Sequence, residues 1–179
     1  MFTTRRQFLC GSIAASGLAA ATTQLPAAEA TSSQSRGEKL RISVLSYSFR
    51  GLLKEGQMDI FGYLESCKYR YGLDAADIWN GFLPNLEPAF LKKVRDALDE
   101  RGLELADLAV DGAHVWEDNP DAREKNYTSA RAHLEAARVL GARFVRFDAG
   151  GGGENWSEEA FDHIVKRYQE YAQYGHDHG

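Results

Sequence analysis

Residues 137–148 read ARVLGARFVRFD, a segment in which a helical pattern ends at a glycine and a short strand-like run follows. Gly141 stands where the helix should stop, because glycine readily adopts the left-handed backbone conformation that ends helices. The run from Phe144 to Phe147 is rich in aromatic and β-branched residues, which favours a β-strand, and Asp148 follows it. The segment therefore predicts a helix, a tight turn and a strand with a carboxylate at its C-terminal end.

The same order of helix, glycine and strand recurs earlier in the chain. Gly72 and Gly102 end two further helical patterns, and a run of strand-forming residues follows each of them. The predicted strands cover residues 40–46, 75–79, 105–110 and 144–147. Four strand–helix units in series indicate parallel strands joined by helical crossovers.

Apolar residues recur at the spacing of one helix face between and after these strands. Asp59, Asn85 and Ser157 precede three of the helical segments, and their side chains are of the kind that caps helix N-termini. The inner faces predicted for the four helices are Ile60, Leu64 and Cys67; Leu91, Val94 and Leu98; Tyr127, Ala130, Leu134 and Ala137; and Phe161, Ile164, Val165 and Tyr168. Each helix thus has one apolar face to pack against a sheet.

Residues 1–30 carry the three regions of a twin-arginine signal peptide. Arg5 and Arg6 lie in the sequence TTRRQFL, a mild apolar run follows at residues 13–21, and AEA at residues 28–30 supplies a small-x-small cleavage site. The apolar run is too short to span a bilayer stably. A frayed helix with two chance arginines is the alternative, but the three regions occur in the order that a signal requires. We therefore expect export of a folded protein to the periplasm or cell envelope.

The rest of the chain has the size and charge of one acidic domain. Residues 31–39 are polar and predict a flexible leader, which leaves residues 40–179 for the domain. The whole chain has a formal charge of −5, and the signal, with two arginines and one glutamate, contributes +1, so the mature chain is near −6. An acidic chain without a basic run is a poor partner for nucleic acid or an anionic membrane. No later segment of the sequence predicts a membrane span, and the single cysteine left after cleavage permits no intrachain disulfide.

Four strand–helix units are half of a (β/α)8 barrel, which needs about 250 residues. The predicted fold class is therefore α/β, a parallel (βα)4 half of a TIM (β/α)8 barrel preceded by a signal peptide, and we expect a chain truncated where a fifth strand should begin. An open sheet of the flavodoxin type is the alternative, but that fold usually closes with a fifth strand and helix. Half a barrel leaves the inner sheet face and two strand edges uncovered. A missing C-terminal half or a second chain is therefore an expected partner.

Functional residues of parallel βα folds collect at the C-terminal ends of the strands. The predicted substrate-binding residues at these ends are Asp77, Trp79, His114, Trp116 and Asp148. Asp77 has a structural alternative, since a carboxylate inside a strand could be bonded to backbone amides. The two tryptophans could equally be core residues or walls that face a sugar ring.

Three other polar groups leave functional and structural interpretations open. Asp111 and His114 could form a metal or general-base pair, or the histidine could only bond its own loop. The glycine run at residues 150–153 could cradle a phosphate with its bare amides or form a flexible loop. His176 and His178 have the spacing of a metal clip, but they also fit the tail of a helix.

Three motifs together resemble a known family: LDAADIW at residues 73–79, LAVDGAH at residues 108–114 and ARVLGARFVRFD at residues 137–148. In order and spacing they are similar to the first half of the xylose isomerase-like TIM barrels. These include sugar phosphate isomerases and epimerases and relatives of family 2 apurinic endonucleases. The resemblance covers roughly residues 40–179. It implies that the intact parent interconverts sugars by proton transfer next to a carbonyl, assisted by a divalent metal ion.

The resemblance also limits what can be assigned to this chain. In the epimerase branch the metal-binding Glu, Asp, His and Glu come from strands five to eight, which lie beyond the four units here. The resemblance therefore implies a divalent metal ion for the intact fold and an inactive chain when it is alone. It assigns no metal ligand to this chain and leaves the catalytic residues unknown. The five substrate-binding residues would line the side of the pocket that faces a small-molecule sugar.

Three other functions remain open. The chain could be a non-catalytic carbohydrate-binding or interaction module that keeps the pocket wall without the metal site. It could be an endonuclease-like relative that acts on DNA, although the acidic charge and the export signal argue against that. It could also be an open-sheet module that binds a phosphate through the glycine run.

Overall fold

The computed structural model describes residues 41–150 and 156–178. The helices and strands are α1 (Arg50–Lys54), α2 (Ile60–Glu65), β1 (Ala75–Trp79), α3 (Pro88–Glu100), β2 (Glu104–Val110), α4 (Pro120–Leu140), β3 (Phe144–Phe147) and α5 (Glu158–His178). A π-helical turn at Ser66–Arg70 continues α2, and 3-10 turns occupy Ser46–Phe49 and Asn80–Phe82. The predicted signal peptide at residues 1–30 and the leader at residues 31–39 lie outside the described residues.

The described strands form a parallel sheet in the order β1-β2-β3. The helices α3 and α4 connect consecutive strands, so the predicted parallel α/β arrangement is confirmed, and the predicted strands at residues 75–79 and 144–147 match β1 and β3. The register shifts by one residue within β2, so that Asp77 on β1 lies opposite Asp107 on β2. This shift decides which polar side chains share one face of the sheet.

The prediction of a first strand at residues 40–46 is wrong for the described part of that range. Leu45 makes one isolated parallel bridge to Asp77, and a 3-10 turn begins at Ser46. The buried Tyr63 hydroxyl lies 2.6 Å from the carbonyl oxygen of Val44 and 2.8 Å from that of Asp77, and it accepts a bond of 3.0 Å from the Asp77 amide. A side chain from α2 therefore occupies the positions where ladder hydrogen bonds of a full strand would form.

The predicted helix ends are mostly confirmed. Gly72, Gly102 and Gly141 have φ angles of 63°, 57° and 69°. Asp59 caps α2 by accepting a bond from the Gly62 amide, and Ser157 accepts one from the Ala160 amide at the start of α5.

The predicted cap at Asn85 is wrong, because α3 begins later. Its N-cap is Glu87, whose amide donates to the Asn85 side chain over 3.0 Å. Pro88 explains this start, since its fixed φ suits the first helical position and it has no N–H to leave unpaired there.

The predicted inner face of α5 is wrong in part. Ile164 is buried as predicted, but Phe161 is 61 % exposed, and Val165 and Tyr168 are each more than one third exposed. The buried residues of α5 are Ala160, Ile164, Tyr171 and Tyr174. Apolar residues extend around this helix, and the buried stripe lies roughly 100° from Phe161 at 3.6 residues per turn. Tyr171 instead packs on Phe147, with ring centroids 5.1 Å apart.

The hydrophobic core lies between the helices and one face of the sheet. Ile78 and Leu108 of the strands and the buried stripes predicted for α2, α3 and α4 belong to one apolar cluster, with Tyr127 packed against it. The opposite face of the sheet carries partly exposed polar residues at alternate positions. Among the described helices, none combines the length and the apolar character needed to cross a membrane.

Candidate functional site

The open face of the sheet carries charged side chains contributed by all three strands. Asp77 lies opposite Asp107, and Arg146 lies opposite Ala109, two residues nearer the C-terminal end of β2. Because opposite residues of neighbouring parallel strands point to the same face, these groups form one surface. Asp111 and Asp148 continue it just beyond the strands.

A hydrogen-bonded network joins the C-terminal ends of the three strands. The Arg146 guanidinium donates to Asp111 over 2.6 Å and to Asp148 over 3.0 Å. The indole nitrogen of Trp79 donates to the second oxygen of Asp111 over 2.7 Å. We call Trp79, Asp111, Arg146 and Asp148 the strand-end network.

The ion pairs of the strand-end network are open to solvent. The side chains of Arg146, Asp111 and Asp148 are 46 %, 40 % and 43 % exposed, so each pair contributes only about 0–1 kcal/mol to stability. Their main effect is on geometry, because the hydrogen bonds orient the Trp79 ring and both carboxylates.

The backbone around Trp79 is held by neighbouring polar residues. The buried Ser46 hydroxyl accepts a bond of 2.8 Å from the Trp79 amide. The Asn80 side chain accepts from the Asp111 amide and donates to the Asp111 carbonyl, each over 3.1 Å. These hydrogen bonds within the protein therefore hold the C-terminal ends of β1 and β2 together.

Trp79 also borders an open pocket. A cavity of about 420 Å³ is lined by Trp79 together with Arg50, Leu53 and Lys54. A Cβ on Gly81 would lie 2.4 Å from the Trp79 ring, so only glycine leaves room for the indole in this position. The ring therefore connects the pocket on α1 with the carboxylates of the strand-end network.

Asp77 lies deeper on the same face. One of its carboxylate oxygens accepts a bond of 2.6 Å from the Ser43 hydroxyl. Its Oδ1 atom is buried and has no hydrogen-bond partner among the described residues. Burial raises the pKa of Asp107 opposite it, the Asp77 charge raises it further, and Arg146 lowers it.

His114 and Trp116 lie on the loop between β2 and α4, in a different setting. The His114 ring is 2.8 Å from Glu117 and does not pair with Asp111, whose carboxylate bonds Trp79 and Arg146. Trp116 is 9 % exposed, and the Arg123 guanidinium lies 4.2 Å from its ring centroid. The structure thus brings Asp148 and Trp79 together in one network and leaves His114 and Trp116 outside it.

The described part of the glycine run, Gly150, follows β3 and pairs with this loop at Trp116. Gly150 has φ of 82°, and a Cβ there would lie 2.2 Å from the Trp116 carbonyl oxygen. The Trp116 amide donates to the Ala149 carbonyl over 2.7 Å. Residues 151–153 of the run, like Glu154, lie outside the described residues.

Reasoning from sequence missed Asp107 and Arg146 as site residues. Each stands inside a predicted strand between two apolar neighbours, of which the one that follows it is buried. That period-two pattern of one polar residue between apolar neighbours was the available signal, because it marks a strand face that does not meet the helices.

No group of three or more His, Cys, Asp or Glu side chains within residues 41–150 and 156–178 could hold a metal ion. The Nδ1 atom of His178 lies 2.9 Å from the Tyr174 carbonyl oxygen, to which it can only donate, and the ring is stacked on the Tyr174 ring. The described residues therefore do not fit the divalent ion that the resemblance implies for the intact fold.

A comparison with known protein families gives a match that is consistent with the parallel α/β fold. The family model for the xylose isomerase-like TIM barrel matches residues 69–179, which is more than half of the chain. The chain belongs to this family. No curated protein matches it in sequence.

Solved structures give the same fold. Protein SMc04130 from Sinorhizobium meliloti 1021 has a TM-score of 0.59 at 20% identity, covering 77% of this chain and 47% of that one. The probable 3-DHS dehydratase AsbF of petrobactin synthesis in Bacillus anthracis has a TM-score of 0.59 at 19% identity, covering 78% and 49%. A D-psicose 3-epimerase solved in the presence of D-fructose has 0.56 at 12%, covering 68% and 45%. The chain thus spans about half the length of these proteins.

Proposed function

We propose that this chain is part of a sugar isomerase- or epimerase-like protein, in which the strand-end network forms the wall of the sugar pocket. One observation carries the proposal: Trp79, with its indole bonded to Asp111, lies at the C-terminal end of parallel strands and borders an open pocket. Active sites of (β/α)8 barrels lie at that end of the strands. The aromatic face can pack against the C–H side of a sugar ring, and the carboxylates can accept bonds from its hydroxyls.

The roles of this chain in the proposal are binding and orientation. Asp111 and Asp148 would accept sugar hydroxyls while Arg146 keeps their carboxylates in place. A divalent ion in the intact family fold would polarise the sugar oxygens. Since the described residues offer no site for it, we assign its ligands and the proton-transferring base to the rest of a longer parent.

The second part of the proposal is that the domain is half of a (β/α)8 barrel. β3 lies at one edge of the described sheet, and Phe144 on it is 62 % exposed. A groove of about 470 Å³ beside β3 is lined mainly by apolar residues of α4, β3 and α5. A further strand and helix would cover both features, as would a complementary second chain.

The coding sequence beyond Gly179 tests this part. We expect the reading frame to continue for about 100 residues or more, with Glu, Asp, His and Glu at later strand ends. A stop codon with no partner chain encoded nearby would contradict the half-barrel proposal and favour a binding module.

A ligand titration tests the sugar site itself. We would label the full chain with ¹⁵N and add D-fructose or D-xylose while following the indole N–H resonances. The expected result is a shift of the Trp79 resonance with little change at Trp116. Parallel incubations with Mn²⁺ or Mg²⁺ would detect conversion of the sugar. The absence of any shift at Trp79 would contradict the proposal.

The alternative function is a non-catalytic carbohydrate-binding module. The pre-formed strand-end network, without a metal-binding group among the described residues, favours it. Sugar binding without conversion by a chain whose gene ends at Gly179 would support this alternative. Conversion by the chain alone would exclude it.

We also propose export by the twin-arginine pathway to the periplasm or cell envelope. The support is the order of the three signal regions in residues 1–30. Replacing both Arg5 and Arg6 by lysine should keep the protein in the cytoplasmic fraction. Unchanged periplasmic recovery of this variant would contradict the proposal.

A further inference from the structure

Among the described residues, the pocket beside Trp79 is lined by two cations and by no carboxylate. Its volume is about 420 Å³, and its lining consists of Arg50, Gly51, Leu53, Lys54 and Trp79. Arg50 and Lys54 stand four residues apart on α1, so both lie on one side of this short helix. Since the whole chain has a formal charge of −5, the two cations form a local positive site on an acidic protein.

The Arg50 guanidinium is held in position by Tyr47. Its Cζ atom lies 4.3 Å from the centroid of the Tyr47 ring, and its Nη1 atom donates to the Tyr47 carbonyl oxygen over 3.2 Å. This bond uses one of the five N–H groups that a guanidinium carries. The contact with Tyr47 therefore orients the cation and leaves further donors for a ligand.

No acid in the described part of the chain neutralises these cations. Within residues 41–150 and 156–178, neither Arg50 nor Lys54 forms an ion pair. In the strand-end network, by contrast, Asp111 and Asp148 are both paired with Arg146. The pocket on α1 therefore offers positive charge, whereas the network offers carboxylates that are already partly balanced.

Tyr47 connects the cation on α1 with the ring of Trp79. The two rings meet edge to face, with centroids 4.9 Å apart and an interplanar angle of 86°. The indole nitrogen on the Trp79 ring is bonded to Asp111. A ligand that lies along Trp79 would therefore meet hydrogen-bond acceptors toward the strand-end network and cations toward α1.

We propose that Arg50 and Lys54 bind the anionic group of an acidic sugar, a phosphate or a carboxylate, whose ring packs on Trp79. Guanidinium and ammonium groups bind such oxyanions through charge-assisted hydrogen bonds. The two residues thereby select acidic sugars over neutral ones. The sugar in this proposal rests on the proposed function, whereas the anion site depends only on the residues of α1 and Trp79.

Three sugars compared by isothermal titration of the full chain measure what the anionic group contributes. The probes are D-fructose, D-fructose 6-phosphate and D-glucuronate. We expect at least one acidic sugar to bind about 10-fold more tightly than D-fructose, and added salt to reduce the difference. A gain for D-fructose 6-phosphate alone would assign a phosphate, and a gain for D-glucuronate alone would assign a carboxylate. A gain for neither would overturn the proposal.

A charge-matched pair of double variants tests the two cations. Arg50→Gln with Lys54→Gln should bring the affinity for the acidic sugar to within about twofold of that for D-fructose. Arg70→Gln with Lys93→Gln is the control, because it removes two exposed cations outside the pocket, one of them an arginine that lies 5.7 Å from the ring centroid of Tyr71. The control should keep the preference. Loss of the preference in both double variants, or in neither, would overturn the proposal.

A single variant and free anions separate the anion site from packing and from the sugar. Lys54→Gln keeps the contact between Arg50 and Tyr47, and it should still lose part of the preference for the acidic sugar. Inorganic phosphate or acetate should shift the Trp79 indole resonance in the wild type and not in the Arg50→Gln/Lys54→Gln variant. That shift without binding of any sugar would support the anion site and count against the proposed function alone. A wild type in which neither anion shifts Trp79 and neither acidic sugar gains affinity would overturn the anion site.

Discussion

Trp79 ends a parallel strand and Trp116 follows one, and both donate an indole hydrogen bond to an aspartate. Trp79 borders an open pocket, and its partner Asp111 is bonded in turn to Arg146. Trp116 is covered by Arg123 on one side and meets the edge of His163 on another. Two tryptophans in similar places along the chain therefore have different environments, one at a site and one in the packing of a loop.

The difference shows what places a residue in a site of this fold. Trp79 is the last residue of β1 and stands two positions after Asp77, so its side chain lies on the same open face of the sheet. Trp116 comes six residues after the end of β2, where the loop has turned to run beside Gly150. For these two tryptophans, the number of residues from the end of the strand therefore decides whether the side chain lies at the site or in the packing of a loop.

The largest expected effect is the loss of stability when Trp116 is removed. Trp116→Ala should lower the free energy of unfolding by about 3 kcal/mol, because the ring is nearly buried. Chemical denaturation measures it, with Trp79→Ala as the matched variant, which we expect to be less destabilising. A larger loss for Trp79→Ala would reverse the comparison.

The next effect concerns ligand affinity. Asp111→Asn cannot keep both of its charged and indole bonds, so it should weaken D-fructose binding about 10-fold, a change of about 1.4 kcal/mol. Isothermal titration provides the measurement. Asp118→Asn, which alters the aspartate that holds Trp116, is the control and should leave affinity within about twofold. Similar losses in both variants would remove the distinction between the two regions.

A further loss of sugar affinity is expected when Gly81, which lies against the Trp79 ring, is replaced. Gly81→Ala places a methyl group where the indole lies, so the ring must move. We expect a several-fold loss of sugar binding and a shifted Trp79 indole resonance, with stability lowered by about 1 kcal/mol. Gly175→Ala, at an exposed position of α5 with open space around it, is the control. Unchanged spectra for Gly81→Ala would show that the ring is not held as described.

The next prediction concerns how the free energy of unfolding depends on pH through Asp107. The pKa of Asp107 is raised in the folded state, so the folded protein holds this proton more tightly than the unfolded chain. Its stabilising contribution is complete below the ordinary aspartate pKa and is lost as pH rises through the raised value. Asp107→Asn should therefore show a smaller decline of stability over that range than the wild type. Parallel curves for the two proteins would contradict this expectation.

The smallest effect is expected at the loop ion pair. His114 and Glu117 are 41 % and 36 % exposed, so Glu117→Gln should change stability by about 0–1 kcal/mol. Sugar affinity should stay the same, because neither residue touches the strand-end network. A clear loss of sugar affinity in this variant would show that the loop is part of the sugar-binding site.

The sequence alone was sufficient for the periodic parts of this protein. Helix faces, the glycines after α3 and α4, and the strands β1, β2 and β3 could be predicted because burial on one side leaves a period of 3.6 or 2 in the residue pattern. The family was also within reach, since its motifs combine these periods with polar residues at strand ends. Asp77, Trp79 and Asp148 were predicted as site residues in this way, from their places in and after the strands.

Tertiary structure alone decided which of the polar residues meet. The register shift in β2 sets Asp77 opposite Asp107, and no local pattern encodes such a shift. The position of Tyr63 against Val44 and Asp77, which leaves a single bridge in place of a first strand, likewise depends on packing across the chain. Arg146 reaches Asp111 across 35 positions of sequence. Local periodicity reports which side of an element is buried, whereas partnership between elements depends on register and packing, and these are properties of the folded chain.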